Sequence, residues 1–204
     1  MEPIVLASAS PRRRELLRRM GLEPVVCAAD IDESFPAGSY DFPGLCAGLA
    51  QRKVAAVLER RELRTYNWFL GADTVVALGR KVIGKPRNRE QAREFLARLQ
   101  GVSHRVVTGL CLYDRGRESF RLASEVSVVR FARMSDAEIQ WYLDTGEWRT
   151  VAGAYRIQGK GARFIESIKG NYTNVMGLPI RLVYEILRET NYPLGIKSSG
   201  SGRL

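Results

Sequence analysis

The sequence is poor in the residues on which several functional classes depend. Its 204 residues include three cysteines and one histidine, so histidine-rich metal sites are excluded, and a histidine-based triad would have only His104. The cysteines, Cys27, Cys46 and Cys111, are widely spaced and form no C-x-x-C pair. That pattern argues against a disulfide framework or a zinc knuckle, and it predicts a location in the reducing cytoplasm.

Long apolar stretches and targeting signals are also missing. No run approaches the ~18 apolar residues that span a bilayer, so no membrane partner is expected, and the N-terminus lacks the regions of a secretory signal. Hydrophobic residues make up 45% and charged residues 26% of the chain, which excludes wholesale disorder. At ~150 residues per domain, the length allows one domain or two small lobes. We expect a single domain over residues 1–190 and a flexible, polar C-terminal tail over residues 191–204.

Negative charge is in short supply. The chain has 32 Lys and Arg against 22 Asp and Glu, a net charge of +10 at pH 7, which indicates an anionic partner. Arginine carries most of that charge, and its planar guanidinium binds phosphate through two parallel hydrogen bonds. Charge alone leaves open whether the partner is a nucleic acid or a free nucleotide, or whether the charge only keeps the surface soluble.

Strand-like and helix-like segments alternate along the chain, which predicts an α/β domain. The predicted strands are 4–7, 25–27, 69–78, 106–113 and 126–131. Apolar periodicity and capping residues predict helices that begin after Ser10, near residue 45, after Asn88, after Ser135 and near residue 179.

The strongest local signal is SASPRRR at residues 8–14, where a predicted strand runs into a helix. Free backbone N–H groups and the helix dipole at such a junction attract anions. The hydroxyls of Ser8 and Ser10 and the guanidinium groups of Arg12 and Arg13 would complete a phosphate cradle. An ordinary N-cap before an exposed basic helix is the alternative, although arginines in a first turn oppose the helix dipole.

A second signal is GADTVV at residues 71–76, where an acid interrupts an apolar strand. Burying a carboxylate without a partner is costly. Asp73 therefore needs a metal ion, a cationic side chain or a strand end that opens to solvent. A simple capping role at the strand end remains the alternative.

Four weaker signals accompany these two. Lys85 lies on a predicted turn, GKP at residues 84–86, and Glu33 follows Asp32 on a predicted loop. Gln158, in the glycine-rich stretch AYRIQGKGA, could read a base edge because its amide both donates and accepts, although the stretch by itself predicts only a hairpin. His104, at the junction of a helix and a strand, is expected to be a structural hydrogen-bonding residue.

Taken together, these motifs occur in the order found in a known family. The same order includes Gly101 with His104, TG at 108–109, AGAY at 152–155, IQG at 157–159 and the segment 174–179. Over about residues 4–188, the chain resembles the Maf (septum-formation-inhibitor) family of nucleoside triphosphate pyrophosphatases. Each motif is weak alone, and their number and order make the resemblance specific.

The resemblance implies a fold and a reaction. The implied fold is α/β and of the inosine-triphosphatase kind, with a bent mixed β-sheet flanked by helices and two lobes around a central cleft. The implied reaction converts a nucleoside triphosphate to a monophosphate and pyrophosphate with a divalent cation, Mg²⁺ or Mn²⁺, in a homodimer. AYRIQG at 154–159 is similar to the branch that acts on dTTP and UTP, and Arg12, Thr74 and Gln158 lie at the positions that distinguish the branches.

Roles for the site residues follow from the resemblance together with the chemistry of the residue types. Asp73 is expected to orient or deprotonate a water that attacks the α-phosphate, and Glu33 is the second acid and a metal ligand with Asp73. Cations would neutralise the leaving pyrophosphate. The predicted catalytic residues are Asp73, Glu33, Lys53 and Lys85. The predicted substrate-binding residues are Ser8, Ser10, Arg12, Arg13, Thr74 and Gln158.

One stretch departs from the family pattern, and two alternative functions stay open. Family members often carry Glu-Pro-x-Asp-Lys ahead of AGAY, whereas this chain has EWRTV at 147–151; Arg149 is a candidate to replace the missing positive charge. One alternative is a pyrophosphatase for 7-methyl-GTP or another modified nucleotide. The other is a nucleic-acid-binding module, which no motif supports, so no stable nucleic-acid partner is expected.

Overall fold

One mixed β-sheet runs through the computed structural model, which describes residues 2–34 and 41–195. Its strands are β1 (Ile4–Leu6), β2 (Pro24–Val26), β3 (Trp68–Leu78), β4 (Lys81–Ile83), β5 (Ser103–Asp114), β6 (Ser119–Phe131) and β7 (Ile165–Lys169). The order is β2-β1-β3-β5-β6-β7, with β4 also paired to β3. Strand β1 lies parallel to β2 and β3, and every other pairing is antiparallel.

Helices cover both faces of this sheet. They are α1 (Pro11–Arg19), α2 (Phe42–Leu58), α3 (Arg89–Leu99), α4 (Asp136–Asp144), α5 (Tyr172–Val175) and α6 (Ile180–Glu189). Three short 3-10 turns span Arg61–Leu63, Ala152–Ala154 and Lys160–Phe164. Ser10 and Asn88 cap α1 and α3 through their side-chain oxygens, and Ser135 and Glu138 form a reciprocal capping box at α4, as the sequence predicts.

Several strand predictions were incomplete. Strand β6 begins at Ser119 rather than at residue 126, because its first half is an exposed strand held by β5; Phe120 and Leu122 are each 40% exposed. Such a strand has no buried apolar run to mark it. Strands β4 and β7 were missed, and the stretch predicted as a glycine-rich hairpin folds instead into turns that flank residues 155–159.

Side chains alternate strictly along the central strand β3. Trp68, Leu70 and Ala72 join the larger core, which α1, α3, α4 and α6 cover. Phe69 packs in the core formed with α2. This alternation sends Asp73 towards α2 and its neighbour Thr74 towards α1, because successive side chains of a strand point to opposite faces.

Helix α2 lies unusually close to the sheet because two glycines leave room for it. A Cβ added at Gly71 would lie 2.3 Å from the Ala50 carbonyl oxygen, and one at Gly109 would lie 2.1 Å from the Ala47 nitrogen. Neither distance is possible for real atoms. The close seating brings the inner face of α2, including Lys53, onto the middle of β3 and β5.

The C-terminal end of the described chain packs back onto its beginning. Tyr192 is buried, its ring lies 5.3 Å from that of Trp68 in an edge-to-face arrangement, and its hydroxyl donates to the Glu2 carbonyl. The predicted tail, 191–204, lies largely outside the described residues, since these stop at 195. Within the described ranges, no helix has the length and apolar character needed to cross a bilayer.

Candidate active site

A cleft of about 570 Å³ opens above β3, between the β1–α1 junction and the segment 150–158. It gathers residues from the beginning, middle and end of the chain. All ten predicted site residues line it: Ser8, Ser10, Arg12, Arg13, Glu33, Lys53, Asp73, Thr74, Lys85 and Gln158. The structure therefore brings the predicted set together, while their individual roles stay predictions.

The cation that Asp73 needs is Lys53. The Lys53 Nζ lies 2.6 Å from Asp73 Oδ1 and 2.7 Å from Glu33 Oε1. Lys53 is 5% and Asp73 6% exposed, so each charge depends on the other to offset its loss of hydration. A buried lysine thus holds both predicted acids at one point of the cleft wall.

The adjacent acids Asp32 and Glu33 do different things. Asp32 accepts hydrogen bonds from the backbone N–H and the hydroxyl of Ser34 and does not line the cleft. Glu33 faces Lys53, with the Nζ of Lys85 3.6 Å away. Burial alone would raise the pKa of Glu33, but the hydrogen bond and charge of Lys53, with the charges of Lys85 and Arg13, hold it below its ordinary value.

Arg13 connects three elements beneath the cleft. Its guanidinium donates to the Gly177 carbonyl at 2.9 Å, to Ser8 Oγ at 3.0 Å and to Thr74 Oγ1 at 3.1 Å. Burial lowers the pKa of Arg13, and the negative charges of Asp73 and Glu33 oppose that shift. Arg13 therefore places a positive charge near the acids without an ion pair to either.

A buried polar chain continues from Thr74 into the sheet. The Thr74 and Thr108 hydroxyls lie 2.9 Å apart, and Thr108 donates to the Asn174 carbonyl at 3.3 Å. The Asn174 amide donates to the Val106 carbonyl at 3.0 Å and to Ser127 Oγ at 2.9 Å. No role was predicted for Thr108 or Asn174, although polar residues inside apolar segments were the available signal.

Lys85 and Gln158 lie on more open parts of the wall, and each is exposed. The turn that carries Lys85 is fixed because the Gly84 carbonyl accepts from the Gly153 N–H at 3.1 Å. Gly153 can occupy that position because its φ of +74° suits a glycine. Ser10 is partly committed to structure, since its hydroxyl accepts from the Arg13 N–H at 3.4 Å.

Comparison with known proteins identifies the family of the chain. Residues 3–190 match the family described as Maf-like protein. The chain belongs to the Maf-like protein family. It is 45% identical to a protein of Desulforamulus reducens over 92% of this chain and 96% of that protein, and 45% identical to one of Symbiobacterium thermophilum over 98% and 100%. Both relatives carry the name dTTP/UTP pyrophosphatase.

Solved structures confirm the predicted fold. The Ham1 protein of Staphylococcus aureus aligns with a TM-score of 0.51 at 12% identity, over 93% of this chain and all of that one. A HAM1 protein of Coxiella burnetii aligns with the same TM-score at 16% identity and the same coverage. At these identities the likeness concerns the fold, a mixed sheet flanked by helices.

In this Maf-like protein, His104 is structural, as predicted. It lies within β5, and its Nε2 is 2.8 Å from the hydroxyl of Tyr155, a residue of the cleft wall. Burial lowers the pKa of His104 to about 4 and raises that of Tyr155. A neutral, buried imidazole therefore holds Tyr155 of the cleft wall in place through this hydrogen bond.

The expectation that Arg149 replaces a lost positive charge in the cleft is not supported. Arg149 is exposed, its guanidinium lies 5.1 Å from the centre of the Trp148 ring, and it is not among the residues that line the cleft. Stacking on an aromatic face satisfies the guanidinium away from the site. The cationic side chain that this part of the wall does contribute is Arg156.

Proposed function

We propose that this protein is a nucleoside triphosphate pyrophosphatase that hydrolyses dTTP and UTP to the monophosphate and pyrophosphate. The charge of the cleft carries the proposal: five cationic and two acidic side chains line it, a net charge of +3. Such a surplus suits a polyphosphate. The full-length relatives named dTTP/UTP pyrophosphatase support the choice of nucleotide.

Asp73 is the proposed base. Its Oδ1 is held by Lys53 at 2.6 Å, and the residue lines the cleft, so Oδ2 would be the atom that accepts from the water. Water attacks the α-phosphorus, the bond to the α–β bridging oxygen breaks, and the proton of the water passes to the carboxylate. The products are the nucleoside monophosphate and pyrophosphate, with no covalent intermediate.

The β1–α1 junction would bind the phosphates. Ser8, Ser10 and the N-terminus of α1 offer hydroxyls and N–H groups, and Arg12 and Arg13 add positive charge on the same side of the cleft. Charge that develops on the leaving pyrophosphate would be neutralised there. The donors exist before the nucleotide arrives, so little reorganisation is needed during the reaction.

A divalent cation is part of the proposal. Within residues 2–34 and 41–195, no group of three or more His, Cys, Asp or Glu comes together. Glu33 and Asp73 nevertheless converge on Lys53, and Mg²⁺ commonly binds through one or two carboxylates together with substrate phosphates. These two carboxylates fit an Mg²⁺ or Mn²⁺ that is shared with the nucleotide, whose charge the ion would help to neutralise.

A nucleotide panel tests this function. The purified protein is incubated with dTTP, UTP, the other common triphosphates and 7-methyl-GTP, in Mg²⁺, Mn²⁺ or EDTA, and the products are separated by chromatography. We expect UMP or dTMP with pyrophosphate, formed only when the cation is present. Asp73→Asn should lower kcat by about 100-fold or more, because the base is lost.

Asp32→Asn is the matched control, since it makes the same chemical change on an exposed acid outside the cleft and should leave turnover intact. Full turnover by Asp73→Asn would refute the proposed base. Faster hydrolysis of 7-methyl-GTP than of UTP would replace the proposed substrate. Tight, salt-dependent oligonucleotide binding without hydrolysis would favour a nucleic-acid-binding role instead.

Two further properties belong to the proposal. The homodimer rests on the family resemblance, and light scattering coupled to size exclusion tests it. The cytoplasmic location rests on cysteine usage; Cys27, Cys46 and Cys111 are free and buried, which supports a reducing compartment.

A further inference from the structure

Two arginines of the cleft wall have no acidic partner in the part of the chain that the structure describes. Arg12 comes from the first turn of α1 and Arg156 from the turn after Ala152–Ala154, and both line the cleft. Lys53 and Lys85 already face Glu33. Among the described residues, neither Arg12 nor Arg156 forms an ion pair.

The positive charges of Arg12 and Arg156, which line the same cleft, oppose each other. The pKa of Arg12 is lowered first by burial, then by the charge of Arg156 and then by that of Arg13. Like charges in a partly desolvated place are unfavourable unless an anion lies between them. The cleft holds three arginines, Arg12, Arg13 and Arg156, and this concentration of positive charge favours a ligand with several negative charges.

The backbone of Arg156 is fixed, whereas the donors of its side chain are largely unused. Its N–H donates to the Tyr142 hydroxyl at 3.0 Å, and its carbonyl accepts from the Gly159 N–H at 3.3 Å. Its guanidinium makes one long bond, from Nη2 to the Arg149 carbonyl at 3.4 Å, and its Nε is shielded from solvent without a partner in the described chain. Buried donors in proteins nearly always have a hydrogen-bond partner, so the Nε of Arg156, which has none within the described chain, indicates a place for a bound ligand.

The ligand group that fits these donors is a phosphate rather than a base. A guanidinium binds phosphate oxygens through its planar fork, and each such bond gains from opposite charge. Glu33 and Asp73 both lie against Lys53, so the positive charge that no carboxylate offsets within the described cleft wall is on the arginines. Gln158, with a neutral amide, remains available for the pyrimidine.

We propose that Arg156 is a further substrate-binding residue, which together with Arg12 binds the β- and γ-phosphates that leave as pyrophosphate. The proposal rests on the proposed function for the identity of the substrate. Free pyrophosphate and the terminal phosphates of the nucleotide present the same chemistry to this pair. Arg156 would therefore bind the product as well as the substrate.

Binding measurements separate this role from catalysis. Isothermal titration calorimetry measures the affinity of the full chain for magnesium pyrophosphate and for UMP. In Arg156→Gln we expect the affinity for pyrophosphate to fall about tenfold or more, because a charged hydrogen-bonding partner is lost, and that for UMP to change less than about twofold. Arg156→Lys should recover part of the loss, since it restores the charge but not the fork.

Arg149→Gln is the matched control, because it removes the same charge from a neighbouring residue that does not line the cleft. An unchanged pyrophosphate affinity in Arg156→Gln would overturn the inference, as would equal losses for UMP and pyrophosphate, or no pyrophosphate binding by the unsubstituted protein. If that protein binds pyrophosphate but does not hydrolyse UTP or dTTP, the proposed function fails while the binding data still decide the role of Arg156.

Discussion

Lys53 lies buried between Glu33 and Asp73, and its Nζ is 2.7 and 2.6 Å from their oxygens. The buried pair of Lys53 and Asp73 is stabilised by its opposite charges, because either charge alone would be buried without water to solvate it. The same contact orients the carboxylate proposed as the base. The fold and the proposed catalysis therefore both depend on one side chain, and a double substitution can separate them.

Lys53→Met should lower the free energy of unfolding by about 3 kcal/mol, because it leaves Asp73 buried without its cation, and it should abolish turnover. The double variant Lys53→Met/Asp73→Asn should regain most of that stability while remaining inactive. Urea unfolding and a pyrophosphate-release assay measure the two effects. A single variant as stable as the unsubstituted protein would show that Asp73 does not depend on Lys53.

Helix α2 has to touch the backbone of β3 and β5 for that contact to exist. The helix has 17 residues, and Lys53 lies on its inner face together with Val54 and Val57. Gly71 and Gly109 allow the approach, since a Cβ at either would overlap the helix backbone. The position of Lys53, a predicted catalytic residue, is thus decided by two glycines that have no side-chain chemistry.

Gly109→Ala should destabilise the protein by about 3 kcal/mol, because the new Cβ would lie 2.1 Å from the Ala47 nitrogen and the helix must move away. Gly48→Ala is the control on α2 itself. It meets no atom within 4 Å and should stabilise the helix by about 0.5–1 kcal/mol. Thermal unfolding of both variants checks the pair, and equal stabilities would contradict the close seating of α2.

The chain has one histidine, so the stability of the whole molecule between pH 5 and 7 should depend strongly on His104. Burial lowers its pKa to about 4; its surroundings are Tyr155 and Phe131, and Nδ1 has no partner in the described chain. In the unfolded chain, the pKa of this histidine is about 6.5. Between the two pKa values, the unfolded chain therefore binds a proton at His104 and the folded protein does not. Stability is therefore complete above about pH 6.5 and is lost as the pH falls towards 4.

Between pH 7 and pH 5, this one group should lower the free energy of unfolding by about 2 kcal/mol. The Gln side chain in His104→Gln can keep a hydrogen bond to Tyr155 and does not titrate. Between pH 7 and pH 5, the free energy of unfolding of this variant should therefore fall by about 2 kcal/mol less than that of the unsubstituted protein. Denaturant unfolding at the two pH values measures the difference. Parallel losses in both proteins would show that His104 does not set the pH dependence.

Local features could be predicted because they depend on neighbours along the chain. Residue type and spacing predict the helix caps at Ser10, Asn88 and Ser135 and the central strand β3. Exposed or very short strands, such as the first half of β6, could not be found in this way. Their hydrogen bonds come from a partner strand, and their side chains carry no buried pattern.

The sequence by itself determined the family and the set of side chains that meet in the cleft. Both follow from residue types and motif order, which do not depend on how the chain folds. Only the tertiary structure decided which of them touch. The sequence showed that Asp73 needs a metal ion, a cationic side chain or a strand end that opens to solvent. That Lys53 meets this need depended on strand alternation and on the position of α2. Likewise, Arg156 rather than Arg149 lines the cleft, because the path of the turn, not distance along the chain, decides which side chain faces the cleft.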